Sequence, residues 1–419
     1  MISNHIIRGG KVMEKVELLA PAGNLEKLKT AILYGADAVY CGGFSYGLRE
    51  GADNFSYEEL KEGTEFIHKR NKKIYVTVNM IPHNEDLEGL DEYLHQLEEI
   101  GVDALIISDP GVLKIIRDEN IDIELHLSTQ ANAVNYASVA FWKEMGMKRI
   151  ILARELSKDE IKDIREKTDV SLEMFVHGAM CISYSGRCLL SNYFVNRDAN
   201  RGKCAHSCRW KYHLVEEERP GEYYPIVEDK NGTHIMNSKD LCLIEHIPEV
   251  IDTGVDSLKI EGRMKGMHYV ANVISTYRKA IDLYYEDKEN YKFNQQWLED
   301  LKKVSHRGYT TGFFLHPPTE EAQNYESSAY QRTFDFMGVV RGFDKKEKEV
   351  LIEVRHKFFK GDVIEILKHD GTVQKETVDY IINEEGIEVE DAPHPKEIIR
   401  VPVKKNYDKL EVVRREVRK

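Results

Sequence analysis

Gly35-Ala-Asp-Ala-Val-Tyr40, Gly101-Val-Asp-Ala-Leu-Ile106, Gly146-Met-Lys-Arg-Ile-Ile151 and Gly254-Val-Asp-Ser-Leu-Lys259 repeat one junction. Each opens on glycine, the residue that caps a helix at left-handed backbone angles at least cost. Each then runs into a short apolar segment that reads as a strand. A helix end followed at once by a strand is the joint of a parallel α/β protein. Working outward from these joints gives eight predicted strands, at 17–20, 37–41, 73–79, 103–108, 122–128, 148–153, 171–177 and 256–260. Helical signals lie between them. Asn24 is placed to cap a helix carrying Leu25, Leu28 and Ile32. Ser56 with Glu59 and Ser157 with Glu160 have capping-box spacing, and Leu87, Leu90, Leu94 and Leu97 form one apolar face.

Eight alternating strands and helices predict an α/β fold, a (β/α)8 TIM-like barrel, with a doubly wound open sheet as the alternative. The barrel accounts for more of the sequence, because polar residues gather just past the strand ends, where barrel enzymes build their sites. These are Asn79 after strand three, Asp109 after four, Ser128 and Gln130 after five, and Arg154 and Glu155 after six. His177 ends strand seven, and Glu261 and Arg263 follow strand eight.

The connection after strand seven, about 178–254, is too long for one helix, and long connections of this kind are usually functional. It carries His177-Gly-Ala-Met-Cys-Ile-Ser-Tyr-Ser-Gly-Arg-Cys188 and then Cys204 and Cys208, four of the chain's six cysteines, spaced C-x6-C-x15-C-x3-C. A hairpin at 209–228 and a helix from about Ser238 are expected to follow. Residues 1–14 read as a disordered lead and 15–329 as the catalytic domain. From about 330 to 419, short strand-like runs at 334–340, 349–355, 362–367 and 387–389 predict a small C-terminal antiparallel β-barrel domain.

The 419 residues include 31% charged and 42% hydrophobic types, a soluble globular balance with no membrane-length apolar run. The first fifteen residues lack a signal-peptide core. The expected compartment is therefore cytoplasmic, where clustered thiols serve metals or catalysis rather than disulfides. Zinc prefers closer cysteine pairs, whereas iron–sulfur clusters accept looser spacing. Radical-SAM chemistry requires a third cysteine where Lys211 stands. Cys41 and Cys242 read as core thiols. The net charge of −13 argues against a generally nucleic-acid-coating surface. Yet Arg187, Arg197, Arg201, Lys203, Arg209 and Lys211 face only Asp198 in that stretch, a basic stripe suited to phosphates or a dicarboxylate. His177, at a strand end, is the candidate catalytic group. Arg49, Arg154 and Arg263 are candidate anion-binding arginines, with Asn79, Gln130 and Glu261 as further substrate contacts. No H-E-x-x-H, G-x-S-x-G, Walker A or G-x-G-x-x-G motif occurs.

From about residue 16 onward, Glu17-Leu-Leu-Ala-Pro-Ala-Gly-Asn24, Leu127-Ser-Thr-Gln130, the cysteine stretch, Asn237-Ser-Lys-Asp-Leu241 and Lys259-Ile-Glu-Gly-Arg-Met264 resemble peptidase family U32, and within it the bacterial tRNA hydroxylation group. The family was named for a collagenase-like protease activity. The resemblance implies dioxygen-independent 5-hydroxylation of the wobble uridine of tRNA, with prephenate as co-substrate. It also implies a 4Fe–4S cluster on Cys181, Cys188, Cys204 and Cys208. The expected partners are the tRNA anticodon stem-loop, bound by Arg187, Arg197, Arg201, Lys203 and Arg209, and a paralogue or second copy of the chain; no membrane is expected. A metal-dependent peptidase and a noncatalytic RNA-binding protein with structural zinc are the alternatives.

Overall fold

The computed structural model describes residues 6–8, 11–13, 15–43, 54–181, 183–184, 187–210, 213–215, 223–225, 238–318, 322 and 331–418. Eight parallel strands form at the predicted places: β1 (Glu17–Ala22), β2 (Ala38–Gly42), β3 (Lys73–Val78), β4 (Ala104–Ile107), β5 (Glu124–Leu127), β6 (Arg149–Ile151), β7 (Ser171–Gly178) and β8 (Ser257–Ile260). Each pairs with the next in sequence, and β8 pairs with both β7 and β1, so the sheet closes as a TIM-like barrel. Helices α1 (Leu25–Leu33), α2 (Tyr57–His68), α3 (Leu90–Ile100), α4 (Pro110–Asp118), α5 (Tyr136–Glu144), α6 (Lys158–Glu166) and α7 (Ile247–Asp252) fill the connections, and α8 (Met267–Glu286) follows β8. The junction glycines 35, 101, 146 and 254 have φ of 106°, 80°, 88° and 84°, the angles that call for glycine. Asn24 caps α1 through Lys27 N at 3.0 Å, and both predicted capping boxes form.

The barrel interior departs from the usual layers of branched aliphatic side chains. Its lower half is an ionic lattice. Arg149 Nη1 lies 2.5 Å from Glu17 Oε1 and 3.2 Å from Glu173 Oε2. Lys259 Nζ meets the other Glu173 oxygen at 2.7 Å, and Tyr75 donates to Glu17 at 2.7 Å. Buried charges require such pairing. Burial alone raises the Glu173 carboxyl, but Lys259 and Arg149 hold it below its ordinary value. The strands of the barrel wall therefore cannot be read as uniformly apolar.

Residues Ile6–Arg8 and Lys11–Met13 pair as antiparallel strands. One expectation changes. The helix expected from about Ser238 begins instead at Ile247. Residues Asp240–Cys242 form a strand, with Leu241 opposite Gly178 and Cys242 opposite His177, because the end of β7 offers them a free edge. The predicted hairpin of the insertion is present, pairing His213–Val215 with Tyr223–Pro225.

Beyond the barrel, β9 (Phe334–Asp344), β10 (Glu349–Val354), β11 (Val363–Leu367), β12 (Val373–Thr377), β13 (Ile398–Pro402) and β14 (Val412–Glu416) belong to an eight-stranded antiparallel sheet with its own apolar core, which includes Met337, Ile352, Ile366 and Val401. This domain is stitched to the barrel. Tyr34, capping the end of α1, donates to Leu367 O at 2.6 Å and accepts from Val412 N at 3.0 Å, and buried Arg414 reaches Asn272 at 2.7 Å. Among the described residues no helix is long and apolar enough to cross a membrane.

Candidate active site

The upper end of the barrel opens into a cavity of about 210 Å³. Its floor and walls come from Tyr40, Thr77, Asn79, Gln130, Arg154, Phe175 and Lys259. Residues Glu261, Arg263 and Lys265 close one side. The insertion supplies the opposite wall and brings Cys181, Cys188, Cys204 and Cys208 together with His206. Cysteines 27 residues apart in sequence thus share one space because the insertion folds back over the mouth.

The thiols are free of disulfides. Cys188 Sγ accepts the amide of Leu190 at 3.4 Å, and Cys204 Sγ accepts that of His206 at 3.4 Å. Asn200 clamps the backbone of Cys188, accepting its amide at 3.3 Å and donating to its carbonyl at 3.1 Å. Burial raises the Cys181 thiol above its ordinary value, against the pull of the Ser183 amide and Arg154. Four sulfurs around one zinc, at bonds of about 2.3 Å, stand roughly 3.8 Å apart. Among the described residues no three of these sulfurs gather within 4.8 Å; only His369, Asp408 and Glu411 do so. Four thiols lining one cavity, three of them receiving backbone N–H bonds, are a donor set that zinc or an iron–sulfur cluster would use. Cys41 and Cys242 are buried core thiols, as expected, each pushed up by burial to about 12.

The polar wall is built with equal care. Arg154 Nη1 donates to Ala179 O at 3.1 Å, and its guanidinium lies 4.0 Å from the ring centre of Phe175. Arg263, only 5% exposed, donates to Thr77 Oγ1 at 2.9 Å. Gly42 makes room for it: a Cβ there would stand 2.3 Å from Arg263 Nη2. Asn79 donates to Ser128 Oγ at 2.9 Å, while its Oδ1 is buried without a hydrogen-bond partner among the described residues. Gln130, 6% exposed, has an equally unsatisfied Oε1. Glu261 lines the cavity, and its backbone carbonyl accepts from Tyr269.

Lys259 is the residue that the sequence reading passed over. It is 3% exposed, bound to Glu173 below, and its ammonium stands 4.3 Å from the ring centre of Tyr40. Burial lowers its pKa, opposed by Glu173. The signal for it was alternation, since Ser257 and Lys259 share the inward face of β8.

His177 does not join the cavity wall. The β7–β8 register slips between Lys259 and Ile260, so that Lys259 pairs with Phe175 but Ile260 with His177. This bulge turns the side chain from the barrel interior to its outer side. There the ring packs against Tyr269, Tyr277 and Tyr309, with Nδ1 3.4 Å from the Tyr277 hydroxyl. Burial drives its pKa down to about 3. It is a neutral packing residue.

The basic stripe divides. Arg187 Nε donates to Gln130 O at 2.9 Å and ties the insertion to the barrel. Arg201 pairs with Asp86 at 2.5 Å and Glu85 at 2.9 Å, so its charge is already answered. Arg197 and Lys203 are exposed. Arg209 ends the turn Ser207–Arg209. Arg49 and Lys211 lie outside the described residues.

Several proteins resemble this chain along most of its length. It is 46% identical over 401 residues to tRNA hydroxylation protein P1 of Bacillus subtilis (strain 168), covering 96% of this chain and 95% of that one. Identity to tRNA hydroxylation protein P of Escherichia coli (strain K12) is 39% over 437 residues, covering 94% and 95%. The 23S rRNA 5-hydroxycytidine C2501 synthase of the same strain is 38% identical over 316 residues, 75% of this chain and 45% of that protein. Residues 23–324 match peptidase family U32, and residues 332–414 match the peptidase family U32 C-terminal domain. The barrel, its cysteine-bearing cover and the C-terminal sheet are thus all accounted for by one lineage, and the chain belongs to peptidase family U32.

Proposed function

We propose that this protein is a cytoplasmic RNA-modifying enzyme that hydroxylates carbon five of the wobble uridine of tRNA without dioxygen. Prephenate serves as co-substrate, and Cys181, Cys188, Cys204 and Cys208 hold a 4Fe–4S cluster. The observation that carries the reading is the convergence of four cysteine thiols outside any disulfide and two unsatisfied buried amide oxygens on one cavity. Relatives named for tRNA hydroxylation and for 5-hydroxycytidine synthesis support the choice of an RNA base as substrate.

The residues divide the work. Asn79 Oδ1 and Gln130 Oε1 need a hydrogen-bond donor from a ligand, because an unpaired buried acceptor costs about 1–3 kcal/mol. The N3–H of uracil is such a donor, whereas the N3 of cytosine is not. The base reaches the cavity by leaving its stack, as loop bases do when proteins act on a ring atom. Arg154, Lys259, Arg263 and Lys265 outnumber Glu261 on the wall, which suits a dicarboxylate held by guanidinium forks. Arg197, Lys203 and Arg209 meet anticodon phosphates. When bound, the cluster adds electron-transfer capacity at the wall opposite these groups.

The alternative is a metal-dependent peptidase, for which the chain carries no H-E-x-x-H motif. Nucleoside mass spectrometry of tRNA from a deletion strain tests the proposal. Loss of 5-hydroxyuridine-derived wobble nucleosides is expected; unchanged nucleosides would falsify it.

A further inference from the structure

Away from the cavity, His369, Asp408 and Glu411 bring three donor atoms within 4.8 Å of one another. We propose that these side chains form a mononuclear divalent-cation site of the imidazole–carboxylate class, set in the seam between the barrel and the C-terminal sheet. His369 comes from the tight turn joining β11 to β12, closed by Gly371 N to Lys368 O at 2.8 Å. Asp408 and Glu411 come from the turn that leads into β14, closed by Glu411 N to Asp408 O at 3.3 Å. The trio therefore joins two segments far apart in sequence.

Burial provides the second, independent observation. Glu411 is 1% exposed. Its Oε2 accepts the Asp408 amide at 3.1 Å, and burial pushes the carboxyl up to about 7 against the pull of the Asp408 and His369 amides and Lys368. Its Oε1 has no hydrogen-bond partner among the described residues, and neither does the buried Nε2 of His369. An unsatisfied oxygen on a buried carboxyl and an unsatisfied ring nitrogen on a neighbouring half-buried imidazole are costly. One cation satisfies both, since an imidazole lone pair and a carboxylate oxygen are both metal donors. Asp408, exposed, leaves one side open to solvent for entry and for water ligands. One histidine and two carboxylates suit zinc or manganese.

The location indicates what the ion does. Tyr34 bonds to Leu367 and Val412, the residues flanking the two turns, and its ring meets His369 edge-on at 5.1 Å. Lys279 of α8 donates to Gly371 O in the same turn. An ion here fixes both turns of the sheet against α1 and α8 and so clasps the C-terminal domain to the barrel. The site shares no residue with the cysteine cavity, and the inference stands independently of the proposed activity.

Manganese(II) titration of the full-length, anaerobically purified protein, followed by EPR of the free ion, tests this, since that hard cation avoids thiolates. One saturable equivalent per chain is expected, displaced by zinc and accompanied by a higher melting temperature. Glu411→Gln and His369→Gln should weaken it at least tenfold, and Cys204→Ala should retain it. Asp408→Asn, at an exposed position, gives the same reading should either buried variant fail to fold. No saturable binding by the wild type up to the order of 1 mM, or equal binding by wild type and Asp408→Asn, overturns the proposal.

Discussion

Lys259 and Glu173 meet inside the barrel, Nζ to Oε1 at 2.7 Å, directly beneath the candidate active site. Glu173 also holds Arg149, so one carboxylate answers two buried cations. Glu173→Gln removes that charge and leaves both cations in low dielectric. The expected cost is about 3–5 kcal/mol of stability, seen as a lower urea midpoint. Asp169→Asn, which breaks the exposed pair with Lys143, should leave the urea midpoint close to wild type. Equal effects of the two substitutions would show that the ionic lattice does not anchor the barrel.

Iron and acid-labile sulfide in anaerobically purified protein should fall to background in Cys181→Ala, Cys188→Ala, Cys204→Ala and Cys208→Ala. Cys41→Ala should keep both, because Cys41 is a buried core thiol that does not line the cavity. Zinc without sulfide in the wild type contradicts the assignment.

Gly42→Ala probes the anion site without touching a charged group. Its new Cβ would displace the Arg263 guanidinium. A charge-assisted hydrogen bond is worth about 1.5–3 kcal/mol, so prephenate affinity by calorimetry should fall roughly 10- to 100-fold. Affinity equal to wild type removes Arg263 from the site.

Acid should destabilise the fold from near neutrality. Burial depresses His177 to about 3, His268 well below its ordinary value, and His126 in the same direction. The folded state thus refuses protons that the unfolded chain accepts near pH 6.5. Stability from these groups is fully present above that pH and is lost as pH falls toward their folded values. The loss is about 1.4 kcal/mol per pH unit for each. Urea midpoints should drop between pH 7.5 and 5, and His268→Phe should reduce the slope by one proton. A flat profile contradicts the buried-neutral assignment.

The barrel was legible because its punctuation is local. A glycine at positive φ after four of the helices and a short apolar strand after each of those glycines need no knowledge of distant residues. The four cysteines were legible for the same reason. What the sequence hid was non-local. The slip in register between β7 and β8 turns His177 outward, and strand alternation holds no record of a bulge. Arg201 reads as a free cation until the fold brings Asp86 and Glu85, more than a hundred residues upstream, against it. Lys259 looks like a stray charge in an apolar strand until closure places Glu173 opposite.

The central claim is that the cysteine wall and the barrel mouth act as one site on a tRNA base. It is tested most directly by complementing the deletion strain with Cys204→Ala or with Cys41→Ala and quantifying wobble 5-hydroxyuridine derivatives by mass spectrometry. The account predicts that Cys41→Ala restores the modification and that Cys204→Ala, expressed to the same level, does not. Full modification with Cys204→Ala would contradict it.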